Sequence, residues 1–276
     1  MIIRQSNLLG LLAGAGRFPL YLAKTLTEKN WNLVVIGPEG KLEPGIENYA
    51  YKIRTFRFAC FGELVDILQE EGISQAIMAG KIEKRWMFEP EMELDELSLK
   101  ILRQLPDRKD DTIMNAIVCE LEERGIKILP TIELIKDWLA PKGVLGEHSP
   151  SEEQKKDISF GFKIAKEIGR LDIGQTVCVL NQAVLAVEAI EGTDLAILRA
   201  GEFSSGAVIV KVFKPNQSLK FDVPVVGKST IQSMIRARAS VLAVEAGRCL
   251  IVEKNEMLRL ANEHKIALVG VEDGSW

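Results

Sequence analysis

The hydrophobic positions of this chain fall in short runs separated by glycine, proline and charge, and their spacing sorts them into strands and helices. Leu8 to Ala13 is an apolar run of strand length that breaks at Gly14-Ala15-Gly16. Pro19 follows where a helix would begin, and Leu20, Leu22, Ala23 and Leu26 recur behind it at helical spacing. Trp31 to Gly37 predicts a second strand, Glu63 to Glu71 an amphipathic helix and Gln75 to Ala79 a strand. Asp110 to Glu123 predicts a long helix and Ile126 to Leu129 a last short strand. Strands alternating with helices of these lengths predict a parallel, Rossmann-like sheet.

Ala140 to Ser151, carrying Pro141, Gly143, Gly146 and Pro150, reads as a linker. It separates an N-terminal Rossmann-like domain, 1–138, from a C-terminal α/β domain, 139–276, in which a mixed sheet is expected. Beyond it, Ile158 to Ile168 predicts a helix, and Thr176 to Leu180 with Val184 to Ile190 a hairpin turning at Asn181-Gln182. Thr193 is expected to cap a helix running through Arg199. Ala207 to Phe213 predicts a strand, Thr230 to Ala239 a helix, and Val241 to Glu245 and Cys249 to Val252 two more strands. Leu258 to His264 and Ala267 to Val271 close the chain as a helix and a strand.

Composition narrows the class. The 276 residues are 47% hydrophobic and 27% charged, as in a globular protein of two ordinary domains. A formal charge of -4 argues against nucleic acid as a partner, which calls for a basic face. Cys60, Cys119, Cys178 and Cys249 lie far apart and form neither a zinc pattern nor a disulfide framework, so packed thiols in a reducing, cytoplasmic compartment are expected. No run reaches the ~18 apolar residues needed to span a bilayer. Arg4 and the apolar stretch behind it imitate a secretory signal, but they lead into a turn and helix that the fold needs. The two histidines, His148 and His264, support no metal site or catalytic triad.

Candidate chemistry concentrates in a few places. Gly14-Ala15-Gly16 between a strand and a helix offers backbone N–H groups to a phosphate, or is simply a tight turn. It lacks the third glycine of the dinucleotide fingerprint, which Pro19 replaces, and the second strand ends in Gly37-Pro38 where a ribose-binding acid belongs. Lys81 follows another strand end. Lys84 and Arg85 beside Trp86, Met87 and Phe88 suit a lipid surface, or one ordinary helix turn. Asp110 and Asp111 complement a helix dipole or meet a metal or a base edge. Glu188, Glu191 and Asp194 crowd one strand–helix junction, where a divalent cation would relieve their repulsion unless solvent does. Lys214, Gln217, Lys220 and Asp222, braced by Pro215, Pro224 and Gly227, form a stiff polar loop after an apolar strand. Two cations and a carboxylate suit a phosphorylated substrate, or the loop is an ordinary solvated turn after a strand.

These motifs, taken in order, resemble the bacterial UDP-2,3-diacylglucosamine diphosphatase family of the lipid A pathway, the two-domain type unrelated to calcineurin-like phosphoesterases. The resemblance runs through GLLAGAGRFP (Gly10 to Pro19), KDDTIMNAI (Lys109 to Ile117) and GVLGEHSPSEEQKKDISFG (Gly143 to Gly161). It is densest in LDIGQTVCVLNQAVLAVEAIEGTD (Leu171 to Asp194), KPNQSLKFDVPVVGKST (Lys214 to Thr230) and AVEAGRCLIVEK (Ala243 to Lys254). The family's loop reads K-x-x-Q-D-x-R-x-D-x-P-x-x-G, which Lys214, Gln217, Asp222, Pro224 and Gly227 fit. Ser218 stands in place of an Asp and Lys220 in place of an Arg, which keeps charge but loses bidentate phosphate binding.

The resemblance implies Mg²⁺-dependent hydrolysis of UDP-diacylglucosamine to UMP and diacylglucosamine 1-phosphate. Asp222 is then the first catalytic candidate, with Lys214, Gln217 and Lys220 beside it and Glu188, Glu191 and Asp194 completing the metal surroundings. Gly14, Ala15, Gly16, Lys81, Asp111, Gln182, Thr193 and Thr230 are carried as substrate contacts. The partner implied is a nucleotide-activated glycolipid, reached by peripheral contact with the inner face of the inner membrane; a homodimer is compatible with the sequence. Two other readings compete: an NAD(P)-dependent oxidoreductase on the N-terminal sheet, and a non-catalytic lipid or nucleotide carrier, which would have no use for a carboxylate beside two lysines.

Overall fold

The computed structural model describes residues 7–81, 93–107, 109–215, 218, 220–221 and 223–273. Lys84, Arg85, Trp86, Met87 and Phe88, read as a lipid-facing cluster, lie outside them. The chain divides into two units: Met1–Leu134 with Ser218–Asp222, and Ile135–Gln217 with Val223–Trp276.

In the first unit β1 (Leu8–Ala13) leads through a glycine turn into α1 (Phe18–Glu28), then β2 (Asn32–Pro38), β3 (Lys52–Phe56), α2 (Phe61–Glu70) and β4 (Gln75–Ala79). It continues with α3 (Glu96–Gln104), α4 (Asp110–Glu123), β5 (Lys127–Ile128) and the single turn α5 (Thr131–Leu134). The strands form one parallel sheet in the order β3-β2-β1-β4-β5. The central strands are apolar throughout because helices cover both sheet faces, and Leu9, Leu11, Leu33 and Ile77 are fully buried. Each such side chain is worth roughly 1.5–3 kcal/mol of transfer free energy.

The second unit begins at Ile135 and takes in the stretch that reads as a linker. There β6 (Gly143–Val144) pairs antiparallel with the last strand, and Ala140 is buried in the core. A Cβ on Gly270 would lie 1.9 Å from the Pro141 carbonyl oxygen, so glycine there lets the two backbones meet. Pro141 and Gly146 pack closely within the unit, a Cβ on Gly146 meeting Asn262 Oδ1 at 2.7 Å, while Gly143 meets nothing within 4 Å and holds a φ of +99°.

The unit then runs α6 (Glu152–Arg170), β7 (Thr176–Leu180), β8 (Ala183–Val187), α7 (Thr193–Phe203), β9 (Val208–Lys211) and β10 (Val225–Val226). After these come α8 (Lys228–Ala237), β11 (Val241–Glu245), β12 (Leu250–Ile251), α9 (Lys254–Glu263) and β13 (Ala267–Val271). Six strands make a mixed sheet, β6-β13-β11-β9-β7-β8, and β10 with β12 a small parallel pair. Both the parallel first sheet and the mixed second one match the sequence reading. α6 starts on a capping box between Ser151 and Gln154. The β7–β8 turn sits on Asn181 and Gln182, both at positive φ, the twist a two-residue hairpin needs.

Period-2 alternation along β9 sends its side chains to two different helix layers. Val208 and Val210 pack on one face with Ile158, Phe162 and Ala165 of α6, while Ile209 packs on the other with Ile197 of α7 and Met234 of α8.

Candidate active site

β9 and β11 are parallel and end at Lys211 and Glu245; β7, antiparallel to β9, begins there with Thr176 opposite Lys211. Glu188, just past β8, donates its N–H to the Thr176 carbonyl. Residues far apart in sequence thus gather along one sheet edge, the carboxyl ends of the parallel strands, where open α/β sheets bind ligands.

The chain leaving β9 is held at three successive points. Lys211, buried on the α7 face, donates through Nζ to Thr193 Oγ1 and to the Val225 carbonyl, each at 3.0 Å. The Thr193 hydroxyl in turn donates to Glu188 Oε1 at 2.8 Å, and Glu188 Oε2 accepts the Gln175 N–H. An ammonium and a carboxylate, both buried, are therefore joined through one hydroxyl. Phe213 is gripped next: its N–H donates to Glu245 Oε2 at 2.8 Å, and its carbonyl accepts from Lys166, which also donates to Glu245 at 2.6 Å. Lys214 falls on the α6 face, and its Nζ donates to Asp172 Oδ1 at 2.7 Å. Only 6% of the Lys214 side chain is exposed. A bare β-strand end has been made into a fixed platform for the loop beyond it.

The residues expected at the site fall in several places. Asp222 and Gln217 lie outside the described residues. Lys214 and Thr193 stand at the edge just described, Thr193 as a bridge in the network rather than a helix cap, a place Gly192 takes. Lys220 pairs with Glu122 of α4 at 2.7 Å within the first unit, and its neighbour Phe221 packs on that unit's core. Thr230 is buried in the first turn of α8. Gln182 sits exposed on the β7–β8 turn, at the opposite end of the sheet from Lys214, where Asp157 accepts its N–H and that of Asn181.

Two members of the carboxylate cluster are held by neighbouring protein groups. Glu188 is turned inward onto Thr193 and Gln175. Burial opposes ionisation of Glu191, but hydrogen bonds from its own N–H and that of Ala189, with the Arg199 guanidinium, hold its carboxyl below the usual range. Protein donors thus meet Glu188 and Glu191, and among the described residues no three His, Cys, Asp or Glu side chains gather to hold a metal.

In the first unit Gly14, Ala15, Gly16 and Lys81 do come together. Ala15 and Lys81 exchange N–H···O bonds of 2.9 Å, and a Cβ on Gly14 would lie 2.6 Å from the Lys81 carbonyl oxygen. They meet where β1 and β4 end side by side, the point at which strand order reverses, beside the start of α1. Asp111 lies on the opening turn of α4.

Sequence reasoning missed Asp172, Lys166 and Glu245, and the anchoring role of Lys211. Only Asp172 left a local signal: it stands two residues past the end of α6, just after the C-cap Leu171, where glycine is the usual choice.

Fold and site together define a two-unit α/β protein whose lysine-bearing loop is launched from the carboxyl edge of a mixed sheet. Residues 8–138 match the LpxI N-terminal domain and residues 141–269 the LpxI C-terminal domain. UDP-2,3-diacylglucosamine pyrophosphatase LpxI of Caulobacter vibrioides is 31% identical over 276 residues, spanning 96% of this chain and 97% of that protein. The chain belongs to the LpxI family. A solved structure, CobK precorrin-6A reductase, is 14% identical and aligns over 96% of this chain and 88% of that one with a TM-score of 0.32, too distant a likeness to bear on function.

Proposed function

We propose that this chain hydrolyses the diphosphate of UDP-2,3-diacylglucosamine, releasing UMP and 2,3-diacylglucosamine 1-phosphate in lipid A biosynthesis. The observation that carries the reading is the clamped strand end: three anchors fix the start of a loop whose residues suit a charged diphosphate. Positioning plus charge neutralisation is most of what catalysis at phosphorus requires of a protein. Lys214 and Lys220 would meet phosphate oxygens, Gln217 would orient substrate, and Asp222 would hold and align the attacking water. The Gly14–Gly16 turn and Lys81 would receive a phosphate or the nucleotide at the first unit's strand ends.

Mg²⁺ is part of this proposal. With Glu188 and Glu191 committed to protein donors, the described residues do not form the expected cluster for it. Mg²⁺ commonly rests on one or two carboxylates plus substrate phosphates, keeping several waters. When bound it would supply charge neutralisation, with Asp222 and Asp194 the carboxylates left to hold it. The substrate is a membrane lipid, and among the described residues no helix is long and apolar enough to cross a membrane. Peripheral contact with the inner face of the inner membrane therefore belongs to the proposal too.

The test is UMP release from UDP-2,3-diacylglucosamine with Mg²⁺, against an EDTA control and against UDP-GlcNAc. Release from the lipid substrate alone, abolished by EDTA, is the expected result. Binding of the lipid with no release would leave a carrier. An Asp222→Ala protein that turns over at the wild-type rate would remove the catalytic assignment.

A further inference from the structure

Asp172 breaks a local rule. After α6 the N–H of Asp172 bonds to the Gly169 carbonyl and that of Ile173 to the Ile168 carbonyl. This is the Schellman pattern, and it puts Asp172 in the left-handed position that glycine normally fills. Its φ is +57°, a conformation that L-residues rarely adopt. A helix stop alone would favour Gly. Asn30, Arg238 and Lys265 close other helices in the same way, but here the turn also aims a carboxylate at Lys214, with Oδ1 2.7 Å from Nζ and only 11% of the side chain exposed.

The neighbouring residues clear the way for this contact. A Cβ on Gly169 would press on Lys214 Cα and Cγ at 3.2–3.3 Å, so the bare helix turn lets the lysine lie flat against α6. Among the described residues the second Asp172 oxygen, also buried, has no hydrogen-bond partner. A carboxylate placed to stabilise a fold would have both oxygens satisfied. An unsatisfied buried carboxylate oxygen beside a buried ammonium marks a group kept for something other than stability.

We propose that Asp172 is the positioning residue for Lys214: its carboxylate fixes the ammonium in the orientation that meets substrate phosphate. The inference rests on the diphosphatase reading, and its test is built so that the two fail separately.

The full-length wild type, Asp172→Asn, Lys214→Met and the double variant are compared for UMP release, with circular dichroism and melting temperature recorded alongside. Asn tolerates positive φ and keeps the Oδ1 acceptor while removing the charge. We expect D172N to lower kcat/KM by about 10–100-fold, the usual effect of disturbing a residue that orients a functional group. K214M falls further, and D172N adds nothing on the K214M background, because its effect passes through the lysine. Asp172→Gly, which suits the backbone better than Asp does, is the second variant should D172N fold poorly, and it is expected to show the same kinetic loss with the helix end intact. Turnover within twofold of wild type in D172N or D172G overturns the proposal. So does a D172N loss that repeats in full on K214M, since that is the mark of a purely structural role. A wild type that releases no UMP instead overturns the diphosphatase reading beneath it.

Discussion

Replacing Lys211 with Met tests whether the site edge is held by a buried charge pair. Two hydrogen bonds, 3.0 Å from Nζ to Thr193 Oγ1 and 2.8 Å from there to Glu188 Oε1, bridge the ammonium and the carboxylate. The charges are thus at most about 6 Å apart, and at an effective dielectric near 20 their attraction is about 3 kcal/mol. Methionine also leaves the Val225 carbonyl without its Nζ donor and Glu188 as a buried anion with no cation behind its hydroxyl partner. Removing one member of such a pair costs roughly 3–5 kcal/mol, a melting shift on the order of 10 °C for the second unit. Glu188→Gln keeps an acceptor for the Thr193 hydroxyl and loses only charge, so its cost is smaller. In the double variant neither charge remains, and the two losses are expected to fall short of additivity by about 1–3 kcal/mol. The assay is chemical denaturation followed by hydrogen exchange on peptides from β7 and β9, which separates this unit from the first. A K211M protein that melts within about 2 °C of wild type, or single losses that simply add, would show that the hydroxyl bridge carries no coupling. Turnover should drop with stability here, because the Val225 carbonyl lies at the far end of the loop that Lys211 opens.

Other consequences are more local. Gly174→Ala places a Cβ 2.1 Å from the Glu188 carbonyl oxygen; the backbone must shift, and a destabilisation of about 1–3 kcal/mol, read by urea titration, is expected with loss of UMP release. Lys220→Ala removes an exposed pair with Glu122, worth under about 1 kcal/mol, so its melting temperature stays put while turnover falls if the lysine meets phosphate; unchanged kcat/KM would strike it from the site. Burial pushes the Cys178 and Cys249 thiols up to about 12, whereas Cys119 is exposed. At pH 8 a thiol reagent should modify Cys119 rapidly and the other two only on unfolding. Above about pH 8.5 the unfolded chain gives up these protons and the native chain keeps them, so urea midpoints should fall as the pH rises from there towards about 12.

Five strands, β1, β4, β7, β11 and β13, begin and end where the apolar runs do, because a strand buried on both faces must be apolar along its length. β3 escaped the reading for the converse reason. It lies at the sheet edge and carries Lys52, Arg54 and Thr55, so it shows no run to detect. The two-residue strands β6 and β10 exist only through partners β13 and β12, and no local pattern announces a pairing with a distant segment. Pro141 and Gly143 signalled a linker for the same reason: whether such residues mark freedom or close packing depends on Gly270, far along the chain.

The site divides along the same line. Lys214 is legible because its charge follows an apolar run, and strand alternation even fixes its direction: Lys211 and Lys214, three residues apart, must leave the strand on opposite faces. One therefore reaches the start of α7 and the other the end of α6. What sequence cannot supply is the counter-charge that each face offers. Glu188, Glu191 and Asp194 look alike as a run of acids, yet one is the buried partner of a lysine, one the surface partner of Arg199, and their spacing says nothing of which way each turns. Asp172 sits 42 residues before its lysine, and only the left-handed turn that glycine would have filled betrays it. A lysine buried at a strand end needs an anion from another element. The place to search for one is the helix end that packs beneath it, at a residue whose backbone would be easier as something else.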